Sequence, residues 1–274
     1  MQQLLKTEWL KIKNYTAFKV LSIFFLIGVL LTNYIVYVFN KNVVENVNAV
    51  GMMGSFNPYS FENTWQTTSY ATGFLLILPA LLVIILVTNE FTYRTSRQNV
   101  IDGWSRQQFI EVKIAMAVIT TVLSTLMVII TALVFGLFSK TDFSLNGVSH
   151  VGYFFLKSLS YNMIAILVAV LIRRTGFAIG LFFIYLGAEN IVSQLLDLWG
   201  LKLKAQNGID LGSIGDYLPM NASDGLLTFP ENNFKSLAKN VLPTDYTMVV
   251  LGFALAYLVL FVYFSRRRFI KTDL

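Results

Sequence analysis

The chain contains no cysteine and a single histidine, His150. The first absence excludes disulfides, thiolate metal sites and cysteine nucleophiles; the second excludes metal sites built from several imidazoles. Charge is scarce too: 13% of residues are charged, against about 25% in an average soluble domain. Together with 55% apolar residues and a positive mean hydropathy, this excludes an ordinary soluble core and points to a membrane protein. No G-x-x-x-x-G-K-[ST] phosphate loop occurs, so the chain does not itself hydrolyse ATP through that motif. There is no internal repeat and no low-complexity tract.

What is present is apolar length. Crossing a bilayer takes about 20 apolar residues in a helix. Six runs qualify: Ala17–Phe39, Tyr70–Val87, Ile114–Phe138, Val151–Ile172, Phe177–Leu198 and Asp245–Phe264. The expected fold is therefore all-α, one polytopic transmembrane domain over residues 1–274 with six spans. Lys and Arg fix the orientation. With the N-terminus inside, the inner segments hold 14 of the 21 basic residues and 5 of the 15 acids, a net of +9, leaving −3 for the rest. Both termini are expected in the cytoplasm, and the basic balance reflects topology in a lipid bilayer, not nucleic-acid binding.

Residues 1–13 do not read as a cleavable signal peptide, which has a short basic start, an apolar run and a small-residue cleavage site. Leu4, Leu5, Trp9 and Ile12 share one helical face, with Gln2, Lys6, Lys11 and Lys13 off it. That pattern predicts an amphipathic helix in the inner interface. Two hydrophilic loops are long and expected outside. Asn40–Ser69 is rich in Asn, and Trp199–Pro243 holds Pro219, Pro230 and Pro243 with Gly208, Gly212, Gly215 and Gly225. That density of breakers predicts short or re-entrant helices over the outer mouth. Pro79 is expected to kink the second span. Ala117, Thr120, Thr121, Ser124, Val128 and Thr131 form a small, hydroxylated face expected to pack against a neighbouring helix.

Between the second and third spans lies a polar island, Asn89–Val112. Its apolar positions Phe91, Val100, Ile101, Trp104, Phe109 and Ile110 interleave with Arg94, Arg97, Gln98, Arg106 and Gln107. The pattern describes a helix along the inner surface with an aromatic face for a partner, and Ser105 is expected to start a short helix. The run from Glu90 through Arg94-Thr95, Arg97, Gly103, Ser105-Arg106 and Phe109 to Lys113 resembles the loop between the second and third spans of ABC-2 type transporter permeases. The likeness extends to the six spans and the long loop before the last of them. Arg94 stands where that family usually has Gly.

The resemblance implies a permease subunit of a bacterial ABC exporter in the cytoplasmic (inner) membrane. In that family the loop is a coupling helix docked into a separate ATPase subunit, which here assigns Glu90, Arg94, Thr95, Arg97, Gly103, Trp104, Ser105, Arg106 and Phe109 to coupling. It further implies a second permease subunit of the same or similar kind, and alternating access driven from the ATPase. No cofactor, metal or catalytic residue is expected in this chain; ATP and Mg²⁺ belong to the partner. Two other classes compete. An intramembrane hydrolase needs paired acids or a Ser–His pair, and only Glu189 with Asp197 offers an acidic pair. A secondary transporter or channel predicts matching broken helices in its two halves, and Pro79 has no counterpart.

Two charges fall at lipid depth. About 15 residues, or roughly 22 Å, separate Lys157 from the inner end of its span, short of the roughly 30 Å core. Glu189 rises about 18 Å along the next span. Antiparallel neighbours of similar depth predict a Lys157–Glu189 ion pair, or a shared polar cluster with Asn162, Asn190 and Ser193. Snorkelling of Lys157 and an earlier end to the fifth span near Gly187 are the alternatives.

Overall fold

The computed structural model describes residues 2–48, 57–93, 95, 101, 103–230 and 246–271. All regular structure among these residues is helical. A short helix α1 (Gln2–Ile12) leads into α2 (Thr16–Asn48). Then come α3 (Phe61–Gly73), a 3-10 turn (Phe74–Leu76) and α4 (Ile77–Thr92). They are followed by α5 (Arg106–Phe138), α6 (Ser149–Ile172) and α7 (Thr175–Asn207). A second 3-10 turn (Ile214–Tyr217) and the one-turn helix α8 (Asn221–Asp224) precede α9 (Thr247–Lys271).

Among the described residues, six helical stretches are long and apolar enough to cross a membrane: Thr16–Phe39, Phe61–Thr92, Arg106–Phe138, Ser149–Ile172, Thr175–Asn207 and Thr247–Lys271. Several helices outrun the apolar runs. The second span starts at Phe61, nine residues before Tyr70, because Thr64, Thr67, Thr68, Ser69 and Thr72 are all buried there despite their polarity. Thr64 and Thr68 bond to main-chain carbonyls, Thr64 to Ala132 on α5 and Thr68 to Thr64. α7 runs on to Asn207 and stops only at Gly208, whose φ of +68° suits a left-handed cap. Of the segment 40–69, expected as a loop, residues 40–48 and 61–69 are helical, and 49–56 lie outside the described residues. Polarity alone does not end a helix; it takes a residue that the backbone cannot accommodate.

Pro79 acts where expected. It removes the N–H that would reach the Leu75 carbonyl and pushes its ring at that group. The chain answers by tightening Phe74–Leu76 into the 3-10 turn.

α6 is the axis of the bundle. In its most apolar window 72% of residues are buried, against 17% in α2, α7 and α9, so those three form the periphery. Of the small face of α5, Ala117, Thr121, Ser124, Val128 and Thr131 are buried, while Thr120 is half-buried and bonds back to the Met116 carbonyl. Asn162 of α6 donates to Thr121 Oγ1 at 2.9 Å. α2 is tied in by Asn33, which donates to Thr72 Oγ1 at 3.2 Å and takes the Tyr59 hydroxyl on its carbonyl at 2.8 Å. In lipid such bonds hold helices together where apolar burial gives no preference.

At the end of the bundle remote from the N-terminus, the chain after α7 turns back and docks on it. Two carboxylates one above the other on α7 receive it. Asp197 Oδ1 accepts the Gly215 N–H at 2.8 Å, and Glu189 Oε1 accepts the main-chain N–H groups of Met220 and Asn221, the latter at 2.9 Å. Met220, Asn221, Ala222 and Ser223 are buried as a result. Within 208–230 the chain forms the short helical turns that the Pro and Gly density predicted for Trp199–Pro243; 199–207 instead continue α7, and 231–243 lie outside the described residues. Gly215 permits the approach: a Cβ there would lie 2.7 Å from the Ser193 carbonyl oxygen. Gly215→Ala should therefore cost about 1–3 kcal/mol by overpacking. Thermal unfolding in detergent will show the loss, and a cysteine placed at Ser213 should label faster in the Ala variant.

Candidate functional site

The end of the bundle that carries the N-terminus gathers charge out of solvent. Glu8 of α1, Glu90 in the last turn of α4 and Lys113 in the second turn of α5 are 2%, 5% and 4% exposed. Lys113 Nζ pairs with Glu8 Oε2 and, at 3.1 Å, with Glu90 Oε1. Lys11 Nζ closes the figure, 3.1 Å from Glu8 Oε1 and 3.2 Å from Glu90 Oε1. Two acids and two bases thus form a neutral, interlocked tetrad joining three chain segments. Thr95 donates to Glu90 Oε2 at 2.7 Å, and Lys11 stands 5.9 Å from the Trp104 ring centre. Burial depresses the Lys11 ammonium, but Glu8 and Glu90 outweigh it, so its pKa is raised above the ordinary 10.5. Its charge, and the stability it confers, is complete below pH about 10.5 and is lost only as pH climbs past the raised value.

Glu8 has no place in the amphipathic pattern of residues 1–13. Trp9, on the apolar face expected at the membrane interface, is 49% exposed and meets the Phe18 ring edge-on. The face turned to the bundle carries Glu8 and Ile12, with Leu4 and Leu5 half-buried. The detectable signal was Glu8 as the lone acid of a basic segment, one turn before Lys11.

The rest of the island closes against the last helix. Ser105 does cap a helix, but the long α5, not a separate short one. Its hydroxyl accepts from Gln108 N at 3.1 Å and Gln108 Oε1 accepts from Ser105 N at 3.0 Å, a reciprocal capping box. Gly103, at φ +97°, makes the turn before it. Phe109 is buried and stacks on Phe269 of α9 with ring centres 4.8 Å apart and planes 2° from parallel. Phe91 lies 6.1 Å from the same ring, and Arg173 caps Phe91 at 5.3 Å. Arg106 donates to the Ile270 carbonyl at 3.2 Å. Of the proposed coupling residues, Glu90 is thus a member of the tetrad, Thr95 and Trp104 adjoin it, and Arg106 and Phe109 face α9. Arg94 and Arg97 lie outside the described residues.

At the opposite end, Lys157 and Glu189 are both buried, as their depth predicted, but they do not pair with each other. Lys157 Nζ stands 3.2 Å from Asp224 Oδ1, with the Phe74 and Tyr161 rings 5.8 and 5.6 Å away. The Tyr161 hydroxyl donates to the other Asp224 oxygen at 3.1 Å. The reason is the returning segment. It brings in an acid for Lys157 and main-chain N–H donors for Glu189, neither of which the two spans alone could offer. All three charges line one cavity of about 520 Å³ with Tyr70, Asn190 and Asn221. Asn162 and Ser193 serve elsewhere, the first against α5 and the second beneath Gly215. Asp197, read as a candidate partner of Glu189 in an acidic pair, instead holds Gly215.

Residues 23–274 match the family described as "Protein of unknown function (DUF2705)". No curated protein matches the chain.

Removing one partner of a buried ion pair strands the other, at about 3–5 kcal/mol. Glu8→Gln and Lys113→Met should each show a loss of that order in detergent unfolding, and the double variant much less than their sum. Additive losses would mean that the tetrad is not a unit. At the other end, Lys157→Met should couple with Asp224→Asn and not with Glu189→Gln. A Lys157–Glu189 coupling above about 0.5 kcal/mol would contradict the geometry.

Proposed function

The chain belongs to that family, and we propose that it is the membrane subunit of an ATP-binding-cassette transporter of the ABC-2 permease kind. It pairs with a second permease subunit and is driven by separate ATPase subunits that bind ATP and Mg²⁺. In this reading the segment between the second and third spans is the coupling element and the N-terminus-bearing end faces the cytoplasm of a bacterial cell. The observation that carries the reading is the wiring of that segment. The tetrad joins its two flanks, Glu90 and Lys113, to α1, and the Phe109–Phe269 stack joins it to α9. A push on a loop is lost in slack unless rigid contacts pass it on. Here one displacement moves α1, α4, α5 and α9 together.

α1 takes the role of an interfacial helix. Its Glu8–Ile12 side is held by the bundle, and Trp9 and Leu10, each about half exposed, are left to the membrane surface. Trp104 and the 77% exposed Ile101 supply apolar contact to the partner. Substrate moves by alternating access as the two permease subunits reorient.

A secondary transporter is the competing reading, favoured by the ionisable groups of the outer cavity, since such groups at membrane depth often mark ion paths. The two part company on the ATPase. If the neighbouring reading frame encodes an ATP-binding-cassette ATPase, the chain should co-purify with it when the two are co-expressed. Trp104→Ala and Arg106→Ala should weaken that complex or uncouple hydrolysis from transport by about 10-fold or more. Unchanged assembly and unchanged stimulated hydrolysis in both would reject the proposal. Topology is testable in this cysteine-free chain. A cysteine at Gln206 should react with an impermeant reagent in intact cells, and one at Gln107 only after the membrane is opened. The reverse pattern inverts the orientation.

A further inference from the structure

Where α6 and α9 reach the N-terminus-bearing end together, a groove of about 400 Å³ opens on the surface of the bundle. Its walls are Leu167 and Leu171 of α6 and Phe264 of α9; its rim is Arg267, Arg268 and Lys271. Leu171 and Phe264 are 44% and 47% exposed, so the groove faces whatever surrounds the protein. No acidic side chain among the described residues lines it. The chemistry thus changes along its length, from hydrocarbon walls to three cations at helix ends.

We propose that this groove holds one anionic phospholipid, with an acyl chain along Leu167, Leu171 and Phe264 and the headgroup phosphate among Arg267, Arg268 and Lys271. The groove lies on a candidate span, where an unfilled apolar crevice forfeits dispersion contacts and water finds no polar partner on its walls. A hydrocarbon chain fills it without either loss. Two of the three cations are guanidiniums, whose planar forks suit phosphate oxygens. Arg267 is held in place, with Nη1 donating to the Tyr263 hydroxyl at 3.2 Å and the guanidinium 5.9 Å from that ring's centre. A zwitterionic lipid adds an ammonium beside these cations, whereas an anionic one adds only negative charge there. Arg266, in the same run, lies outside the groove and approaches Glu111 at 4.0 Å, which makes it an internal control for charge without a groove. The proposal does not rest on the transporter reading, because the groove and its rim exist whether or not an ATPase docks nearby.

The test is retention of lipid by the purified full chain in detergent, read by native mass spectrometry with phosphatidylglycerol, phosphatidylcholine and free glycerol phosphate as probes. The wild type should hold phosphatidylglycerol about 10-fold or more tightly than phosphatidylcholine, through its rim of cations. Arg267→Gln with Arg268→Gln should remove that preference, and Arg266→Gln should leave it intact. Leu171→Trp fills the groove while keeping every cation and should also abolish retention; Leu167→Phe does the same by a smaller step if the Trp variant is unstable. Equal retention of the two lipids overturns the proposal, as does equal loss from Arg266→Gln. Full retention by both groove-filling variants, or glycerol phosphate held as tightly as the lipid, would place recognition on the cations alone and overturn it too.

Discussion

A charge withdrawn from water is tolerated only beside its opposite, and that constraint shapes both ends of this bundle. Glu8, Glu90 and Lys113 are almost wholly buried, and none is stable without the others. The cost of separating them exceeds what any single packing contact of α1 supplies, so the N-terminal helix cannot drift from α4 and α5 while the tetrad persists. At the far end Lys157 and Glu189 face the same demand, and the chain meets it by folding a segment back over them. Electrostatic need thus positions two pieces, α1 and the 214–224 segment, that hydrophobic burial alone would place loosely.

How far the sequence made this legible varied with the physics involved. The six spans follow from hydropathy, because a bilayer tests apolar length directly. Their ends did not, because α3 and α5 begin among Thr, Gln and Glu that remain helical when bonded or packed. The small face of α5 and the break before Pro79 were readable, since both come from local geometry. Glu8 was not: its partners lie on α4 and α5, and the pattern of a single helix shows neither. The burial of Lys157 was readable from depth, but its partner was not, because Asp224 arrives from beyond α7 along a path set by Gly215 and Asp197.

The island shows the same division. Ser105 as a helix cap and Gly103 as a turn are local events, and both occur. The stack of Phe109 on Phe269 joins positions far apart in the chain, and no spacing foretells it. The outcome is an end of the bundle where four helices meet within one polar and aromatic knot, and another where the bundle is capped by its own chain.

The neutrality of the tetrad has an electrical consequence. A unit charge carried across a membrane potential of 100 mV exchanges about 2.3 kcal/mol with the field. Two carboxylates and two ammoniums travelling as one body exchange almost nothing, however far α1, α4 and α5 shift along the membrane normal. Any displacement of the tetrad itself is therefore indifferent to the voltage across the membrane.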